Sequence, residues 1–190
     1  MEIKNENTAL LVMDIQPATI AMLKDSESYL STLNLAIKKA RADKVQVIYV
    51  VIGFRAGYPE INPNSKMFER FKNNPAFKLD TLEAMQVHPA IAQEKEDITV
   101  IKKRVSAFTG SDLEVILRAK GIKHLVFTGI ATSGVVLSTL REASDKDYLI
   151  TVLSDGCADG DEEVHRVLTT KIFPRQADVM TVAEWRNLKD

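Results

Sequence analysis

The stretch "HLVFTGIATSGVVLSTL", residues 124–140, contains a strand, a turn of small residues and the beginning of a helix. Its strand is mostly apolar instead of alternating, which is typical of a strand buried on both faces of a sheet. Such sheets are mostly parallel, and helices connect their strands. The stretch therefore predicts an α/β fold.

The same alternation of strand and helix runs along the whole chain. Predicted strands cover residues 8–14, 45–52, 97–102, 124–129, 149–155 and 177–181. Predicted helices cover residues 29–43, 111–121, 133–146 and 160–173, and "VAEWRNL" adds a last helical turn. Ser111 and Glu114 form the pattern of a capping box at the second helix. The order predicts one doubly wound domain, residues 1–190, with a mainly parallel six-stranded sheet and helices on both faces.

Composition excludes several classes of protein. The 190 residues carry a net charge of -1, which predicts no nucleic-acid surface. No apolar run approaches the ~20 residues of a membrane span, and the N-terminus lacks a secretory pattern. These features predict a cytoplasmic protein. The single cysteine, Cys157, excludes an internal disulfide and a cysteine-based zinc site.

Residues 53–96 interrupt the alternation with four prolines and four asparagines. The stretch is too long for a plain connection, and such insertions are usually lids or contact loops. Its apolar side chains either contact another copy of the chain or are buried against their own domain. These side chains are Met67, Phe68, Phe71 and Phe77.

Three strand ends carry chemically useful groups. The first strand ends in Asp14, the third in Lys102, and the fourth in the turn from Gly129 to Gly134. Taken alone, the aspartate is consistent with a turn cap and "KKR" with a solvated cluster. In a parallel sheet, however, these ends share the edge where ligands bind. A carboxylate and an ammonium facing a helix N-terminus form a plausible proton-transfer site.

Several motifs, in order, resemble the isochorismatase-like hydrolases, often called cysteine hydrolases. They are "ALLVMDIQ", "VIKKRVSAFTGSDLEVILRAKGI", "LVFTGIATSGVVLSTLREASDKDY" and "VLSDGCADGDEEVHR". The resemblance implies a catalytic Asp, Lys and Cys. It assigns the aspartate to Asp14 and the lysine to Lys102, with Lys103 as second choice. It also implies a cis peptide between Ile130 and Ala131.

The place of the family's cysteine is occupied by Val135, which offers only methyl groups. Cys157 lies in a Gly- and Asp-rich loop and is interpreted as structural. Ser133 is interpreted as a helix N-cap in preference to a nucleophile. We therefore predict non-covalent hydrolysis, with Asp14 as general acid/base and Lys102 as charge stabiliser. The alternative is an inactive scaffold that binds a small molecule or a protein.

Around this pair the sequence predicts a small-molecule site. The predicted substrate-binding residues are Gln16, Phe108, Ile130, Ala131, Ser133, Gly134 and Val135. Backbone amides at 133–135 are expected to hold a substrate oxygen, and Phe54, Tyr58 and Phe108 either line a pocket wall or pack in the core. Arg55 and Arg104 either bind a substrate carboxylate or remain solvated.

No cofactor or metal is predicted. Members of the family that are nicotinamidases carry an Asp–His–His metal cluster after the second strand, and the matching region "GFRAGYPEINPNSK" has no histidine. The three histidines, His88, His124 and His165, are scattered along the chain. The resemblance also implies a homo-oligomer, a dimer or tetramer, because the family commonly assembles through its insertion and C-terminal helices.

Overall fold

The computed structural model describes residues 4–75 and 77–187. Its centre is a parallel sheet of six strands in the order β3-β2-β1-β4-β5-β6. The strands are β1 (Thr8–Met13), β2 (Gln46–Ile52), β3 (Ile98–Lys102), β4 (His124–Ile130), β5 (Leu149–Ala158) and β6 (Asp178–Met180). The predicted fold class is confirmed, since every residue of β1 and β4 is buried, as their apolar sequences require.

Helices cover both faces of this sheet. They are α1 (Pro17–Ile20), α2 (Ser26–Ala42), α3 (Lys66–Lys72), α4 (Leu113–Ala119), α5 (Leu137–Asp145), α6 (Glu162–Val167) and α7 (Val182–Asn187). Leu33 and Ile37 of α2 and Trp185 of α7 belong to one core cluster. Leu117 of α4 and Leu140 of α5 belong to the other. No helix of the described ranges is long and apolar enough to cross a membrane.

The strand order places a switch point between β1 and β4. Connections leave β1 toward β2 and β3 on one side, and β4 toward β5 and β6 on the other. In sheets of this kind ligands bind beyond the carboxyl ends of the strands, at the point where the order reverses. Asp14 and the turn after Ile130 follow the two strands at this point.

The insertion between β2 and β3 folds against the end of the sheet. Phe54 and Phe68 are buried together, with ring centroids 5.8 Å apart, and Phe71 stacks on Phe77 at 5.1 Å. These rings join Ile52 in a third apolar cluster. Burial against the same domain therefore accounts for most of the apolar side chains here, and assembly into a homo-oligomer stays a prediction.

Three predicted details of the helices and strands are wrong. Ser111 and Glu114 do not form a capping box, because α4 begins at Leu113 and Glu114 pairs with Arg118 and Lys146 instead. The segment predicted as one helix over 160–173 is an α-helix only as far as Val167. A π-helical turn and a 3₁₀ turn follow it. Strand β5 runs past Asp155 to Ala158, because a register shift against β4 lets it pair again at Gly129 and Ile130.

A buried histidine joins the amino-terminal ends of three neighbouring strands. Its ring nitrogens contact the Thr8 hydroxyl at 3.2 Å and the Thr151 hydroxyl at 2.9 Å. This residue, His124, therefore has a structural place in the sheet, far from the strand ends that carry Asp14. Burial lowers the pKa of His124 below its ordinary value, partly offset by Asp178.

We expect this histidine to make the protein sensitive to acid. A lowered folded-state pKa means that its contribution is intact above the ordinary value of about 6.5 and is lost as pH falls from there through the folded-state pKa. Urea unfolding of wild type and His124→Gln across this range should show a shallower loss in the variant. The pKa of His165 is also lowered, but that residue is present in both proteins. Equal slopes would contradict the assignment.

Candidate active site

The structure brings Asp14 and Lys102 together at the carboxyl ends of β1 and β3. Lys102 Nζ lies 2.9 Å from Asp14 Oδ2 and also donates to the carbonyl of Arg104 at 3.0 Å. Lys102 is 1% exposed and Asp14 7%. The second carboxylate oxygen, Asp14 Oδ1, is buried and has no hydrogen-bond partner among the described residues. One acceptor atom of the pair therefore has no partner within the described part of the chain.

The backbone at Asp14 is fixed in an unusual conformation. Its φ is 56°, in the left-handed region that few side chains other than Asn and Asp adopt readily. Its N–H donates to Val50 O at 2.7 Å, and its carbonyl accepts a short hydrogen bond from the Thr19 hydroxyl at the start of α1. These contacts turn the chain sharply after β1 and hold the carboxylate against Lys102.

Burial and the ammonium act on this carboxyl in opposite directions. Burial raises the pKa of Asp14 above its ordinary value, and the nearby Lys102 charge partly offsets this. A carboxyl with a raised pKa is a better proton acceptor once it is ionised and transfers protons closer to neutral pH. The electrostatics thus suit general acid/base chemistry at Asp14.

The structure distinguishes Lys102 from its neighbour Lys103. Successive side chains of a strand point to opposite sides, and only Lys102 lines the cavity beside Asp14. Lys103 directs its ammonium to the carbonyl of Gly53, at 2.6 Å, and over the ring of Phe54. The preferred assignment, Lys102, is the one whose side chain reaches the site.

The turn after β4 forms the opposite side of the cavity. The peptide between Ile130 and Ala131 is cis, as the resemblance implies. A π-helical turn, Thr132–Val136, follows and leads into α5. Val135 lies in this turn, is 2% exposed and lines the cavity without filling it. The residue at this place in the turn is therefore a valine, whose side chain carries no nucleophilic atom.

Groups that sequence reasoning missed hold this turn from outside. Asp159 Oδ2 accepts a hydrogen bond from the N–H of Ser133 at 2.7 Å, and the Thr132 hydroxyl lies 2.7 Å from His165 Nδ1. Gly134 N–H donates to Ala131 O at 3.0 Å. Two of the three amides expected to hold a substrate oxygen, those of Ser133 and Gly134, are thus engaged within the protein. Only the spatial meeting of β5, α6 and the turn could have revealed this.

Gln16 supports the site through hydrogen bonds instead of facing a ligand with a free amide. Its side-chain oxygen accepts from Ile52 N–H at 2.9 Å, and its nitrogen donates to Ile52 O at 3.0 Å and to Ala84 O at 2.5 Å. All of its strong hydrogen-bonding capacity is directed to the end of β2 and the insertion. Gln16 lines the cavity, but its amide connects three segments of the chain.

The cavity between these elements has a volume of about 130 Å³. Its polar lining residues are Asp14, Gln16, Thr19 and Lys102. The other lining residues are apolar or lack a polar side chain, and they are Ala18, Met22, Ile52, Met67, Phe71, Phe77, Leu79, Val105, Ile130, Ala131, Gly134 and Val135. The site is a small apolar chamber with one ion pair at its end, and the insertion supplies part of its wall.

Two predicted substrate-binding residues lie outside this lining. Phe108 is in the core cluster below α5, where its ring stacks on Tyr148 at 6.0 Å. The loop after β3 turns toward α5 because Ala107 N–H donates to the Thr139 hydroxyl at 2.9 Å. Ser133 is exposed and lies inside the π-helical turn, so the interpretation of this residue as an N-cap is also wrong.

The other aromatic and basic candidates are used elsewhere. Phe54 and Tyr58 belong to the apolar cluster of the insertion. Of the two alternatives for these rings, packing is confirmed, and neither ring lines the cavity. Arg55 is exposed and forms an ion pair with the mostly buried carboxylate of Glu60. Arg104 donates to Glu60 O at 3.0 Å and lies over the ring of Phe68 at 5.4 Å.

Cys157 is not placed to act as a nucleophile. Its thiol is buried in the strand pair β4–β5, 3.8 Å from Phe127 O, and is not part of the cavity lining. Burial raises the pKa of the Cys157 thiol far above its usual range, and a thiol needs ionisation to attack. Within residues 4–75 and 77–187, no three His, Cys, Asp or Glu side chains converge as metal ligands.

The fold and the strand-end site together define a doubly wound α/β domain with an Asp–Lys pair beyond the carboxyl ends of β1 and β3. The isochorismatase domain matches residues 8–184, so the chain belongs to the isochorismatase family. Its relatives include amidohydrolases. The ureidoacrylate amidohydrolase RutB of Stutzerimonas stutzeri (strain A1501) is 33% identical over 82% of this chain and 71% of that protein.

Two further comparisons cover almost the whole chain. YecD of Escherichia coli O157:H7, named an uncharacterized isochorismatase family protein, is 30% identical over 98% of both chains. The structure of an isochorismatase family protein from Burkholderia thailandensis has a TM-score of 0.81 and 28% identity, over 94% of this chain and 93% of that one. The cavity described above therefore lies in a domain that these two relatives share over nearly their whole length.

Proposed function

We propose that this protein hydrolyses a small molecule by non-covalent acid/base chemistry, with Asp14 and Lys102 as the catalytic residues. One observation carries the proposal. The two side chains form a buried ion pair that lines one cavity, and Asp14 Oδ1 has no hydrogen-bond partner among the described residues. A group that is both buried and unpartnered at a strand-end cavity is typical of a functional site.

The pair supports a balanced hydrolysis without a covalent intermediate. Asp14 Oδ1 accepts a proton from water while the water oxygen bonds to the electrophilic carbon of the substrate. Lys102 Nζ donates a hydrogen bond to the oxygen on which negative charge develops. Asp14 then returns the proton to the leaving nitrogen or oxygen as the bond to carbon breaks. Water is consumed, and both side chains end in their starting state.

Amides are the bond class that the relatives favour. RutB proteins are named ureidoacrylate amidohydrolases, and they match this chain at 29–33% identity. Val135 is compatible with such a reaction because the attacking atom in this scheme belongs to water. Enol ethers are the second bond class, since Asp14 can also protonate carbon before water adds.

The first test is kinetic, on a panel of amides, imides and enol ethers. For any substrate that is turned over, Asp14→Asn should lower kcat/KM by about 10²–10⁴-fold, the usual contribution of a positioned proton-transfer group. Asp145→Asn is the matched control, because Asp145 is exposed and lies outside the cavity lining. Equal activity of Asp14→Asn and wild type would exclude the mechanism.

Wild-type activity should also fall at acid pH. For an amide the scheme needs an ionised Asp14 at the start, so kcat/KM for an amide declines as pH falls through the pKa of Asp14. Because burial raises that pKa, the decline should begin above the range of an ordinary aspartate, about 3.9. A rate that is independent of pH across this range would assign the proton transfer to another group.

A second candidate function is ligand binding without turnover, and the presence of Val135 favours it. Intact-mass measurements on protein incubated with the panel separate the possibilities. Product without an adduct supports the proposed chemistry, whereas a covalent adduct on Ser133 or Cys157 contradicts it. Saturable binding with no product would leave the protein as a binder.

A further inference from the structure

The charges around the cavity are few and balanced. Among its lining residues, only Asp14 and Lys102 are charged, and they are bonded to each other at 2.9 Å. The remaining polar members, Gln16 and Thr19, direct their side chains to the backbone. A ligand therefore enters a chamber with no net charge and no spare cation.

The nearby arginines do not change this balance. The Arg55 guanidinium is paired with Glu60 at 2.7 Å, and the Arg104 guanidinium donates to the carbonyls of Lys103 and Glu60. Neither lines the cavity. A substrate carboxylate would thus find no guanidinium to bind it in the bidentate manner typical of such sites.

A charged ligand would also lose its hydration on entering. Most of the wall is apolar and includes Met67, Phe71, Phe77 and Leu79. Burying an ion without a partner is costly, and a carboxylate would lie near the like charge of Asp14. An ammonium would meet the like charge of Lys102. Neutral ligands avoid both penalties.

Size and hydrogen bonding narrow the class further. The cavity of about 130 Å³ is close to the about 150 Å³ at which an apolar protein cavity binds benzene. Its one buried unpartnered side-chain atom among the described residues of the lining, Asp14 Oδ1, is an acceptor. The ligand that fits carries an apolar part no larger than a ring and an N–H or O–H donor.

We infer that this cavity selects uncharged, ring-sized or smaller ligands that carry a hydrogen-bond donor, and that it excludes carboxylates. As a statement about substrates, the inference rests on the proposed function and names the charge class on which that function acts. It separates this chain from any relative whose substrate, like ureidoacrylate, is an acid.

Matched probes of different charge test the inference directly. Benzamide, benzoate and benzylammonium share a ring, and isobutyramide and isobutyrate provide a smaller pair. Titrations of the 190-residue chain at neutral pH, monitored by calorimetry and ligand-observed NMR, should show an amide binding at least about tenfold more tightly than its acid, a difference of about 1.4 kcal/mol. Benzoate or benzylammonium binding as tightly as benzamide would overturn the inference. So would the absence of binding by both amides.

The variant Asp14→Asn gives a second, opposite readout. It leaves Lys102 as an unpaired cation, so the affinity ratio of benzoate to benzamide should rise by at least about tenfold. Leu82→Ala is the control, since Leu82 is exposed and outside the lining, and its ratio should equal that of wild type. An unchanged ratio in Asp14→Asn would contradict the charge argument.

These binding measurements do not depend on turnover. Amide-selective binding without product would exclude the proposed hydrolysis and leave the inferred selectivity standing. Turnover of a carboxylate substrate would support the hydrolysis and overturn the selectivity. The two failures are therefore distinguishable.

Discussion

Replacing Lys102 by methionine is expected to lower the free energy of unfolding by about 3–5 kcal/mol at neutral pH, because the change leaves a buried carboxylate without its counter-charge. The wild-type pair is almost fully buried, with 2.9 Å between Lys102 Nζ and Asp14 Oδ2. Urea unfolding measures the loss. A decrease below about 1 kcal/mol, the value of an exposed pair, would contradict the burial of this pair.

The loss in Lys102→Met should depend on pH with a definite sign. Without the ammonium, the pKa of Asp14 rises further above its ordinary value, because only burial then acts on it. A carboxyl with a raised folded-state pKa contributes its stability below the ordinary pKa, and this stability is lost as pH rises through the folded-state value. The variant should therefore approach wild-type stability at acid pH and fall behind as pH increases.

The double variant Asp14→Asn/Lys102→Met is the control for this prediction. It removes both charges, and replacing a buried ion pair by neutral side chains is often close to neutral in stability. We expect the double variant to be more stable than Lys102→Met alone at neutral pH. If the loss of stability in the double variant equalled the sum of the losses in the two single variants, the two side chains would not be coupled.

Replacing Gly129 by alanine is expected to destabilise the protein by about 2–6 kcal/mol. A Cβ at this position would lie 2.6 Å from Met13 O, which is backbone and has little room to move, and the φ of 153° disfavours a side chain. Backbone strain and overpacking each cost about 1–3 kcal/mol. Because Gly129 sets the distance between the ends of β1 and β4, the variant should also displace Asp14 and lower the turnover that the proposed function requires.

Gly160→Ala is the matched control for this substitution. Nothing lies within 4 Å of a Cβ built there, so its stability should stay within about 0.5 kcal/mol of wild type. Thermal unfolding of both variants and a kinetic comparison separate the effects. Equal stability of the two alanine variants would show that β1 and β4 can separate at no cost.

Much of the fold could be predicted from the sequence because the central strands are continuous apolar runs. Leu10, Leu11 and Val12 are consecutive and all buried. Successive residues of a strand face opposite sides of the sheet, so their burial requires cover on both faces. Helix boundaries were less accurate at the end of the chain, where the predicted helix over 160–173 breaks after Val167. Local propensity does not report the packing that selects a π-helical turn there.

The candidate pair could be located by one rule, the shared edge of parallel strand ends. That rule predicts that Asp14 and Lys102 lie close together, and the structure places their charged atoms in contact. The rule does not apply to Phe108, because a loop residue is placed by its own contacts and not by strand direction. The structure places its ring in the core. The Thr132–His165 contact was also out of reach, because it joins residues 33 positions apart.

The sequence by itself determined the parallel sheet, the family, and the absence of a thiol at the turn after β4, because apolar runs, motif order and residue identity are local properties. Only the tertiary structure decided that Cys157 lies in a strand pair outside the cavity, that Gln16 is committed to the backbone, and that Met67, Phe71 and Phe77 of the insertion form part of the cavity wall. The reason is physical: a hydrogen-bond partner, a pKa and a cavity wall depend on which distant segments meet, and the packing of the whole chain sets those meetings.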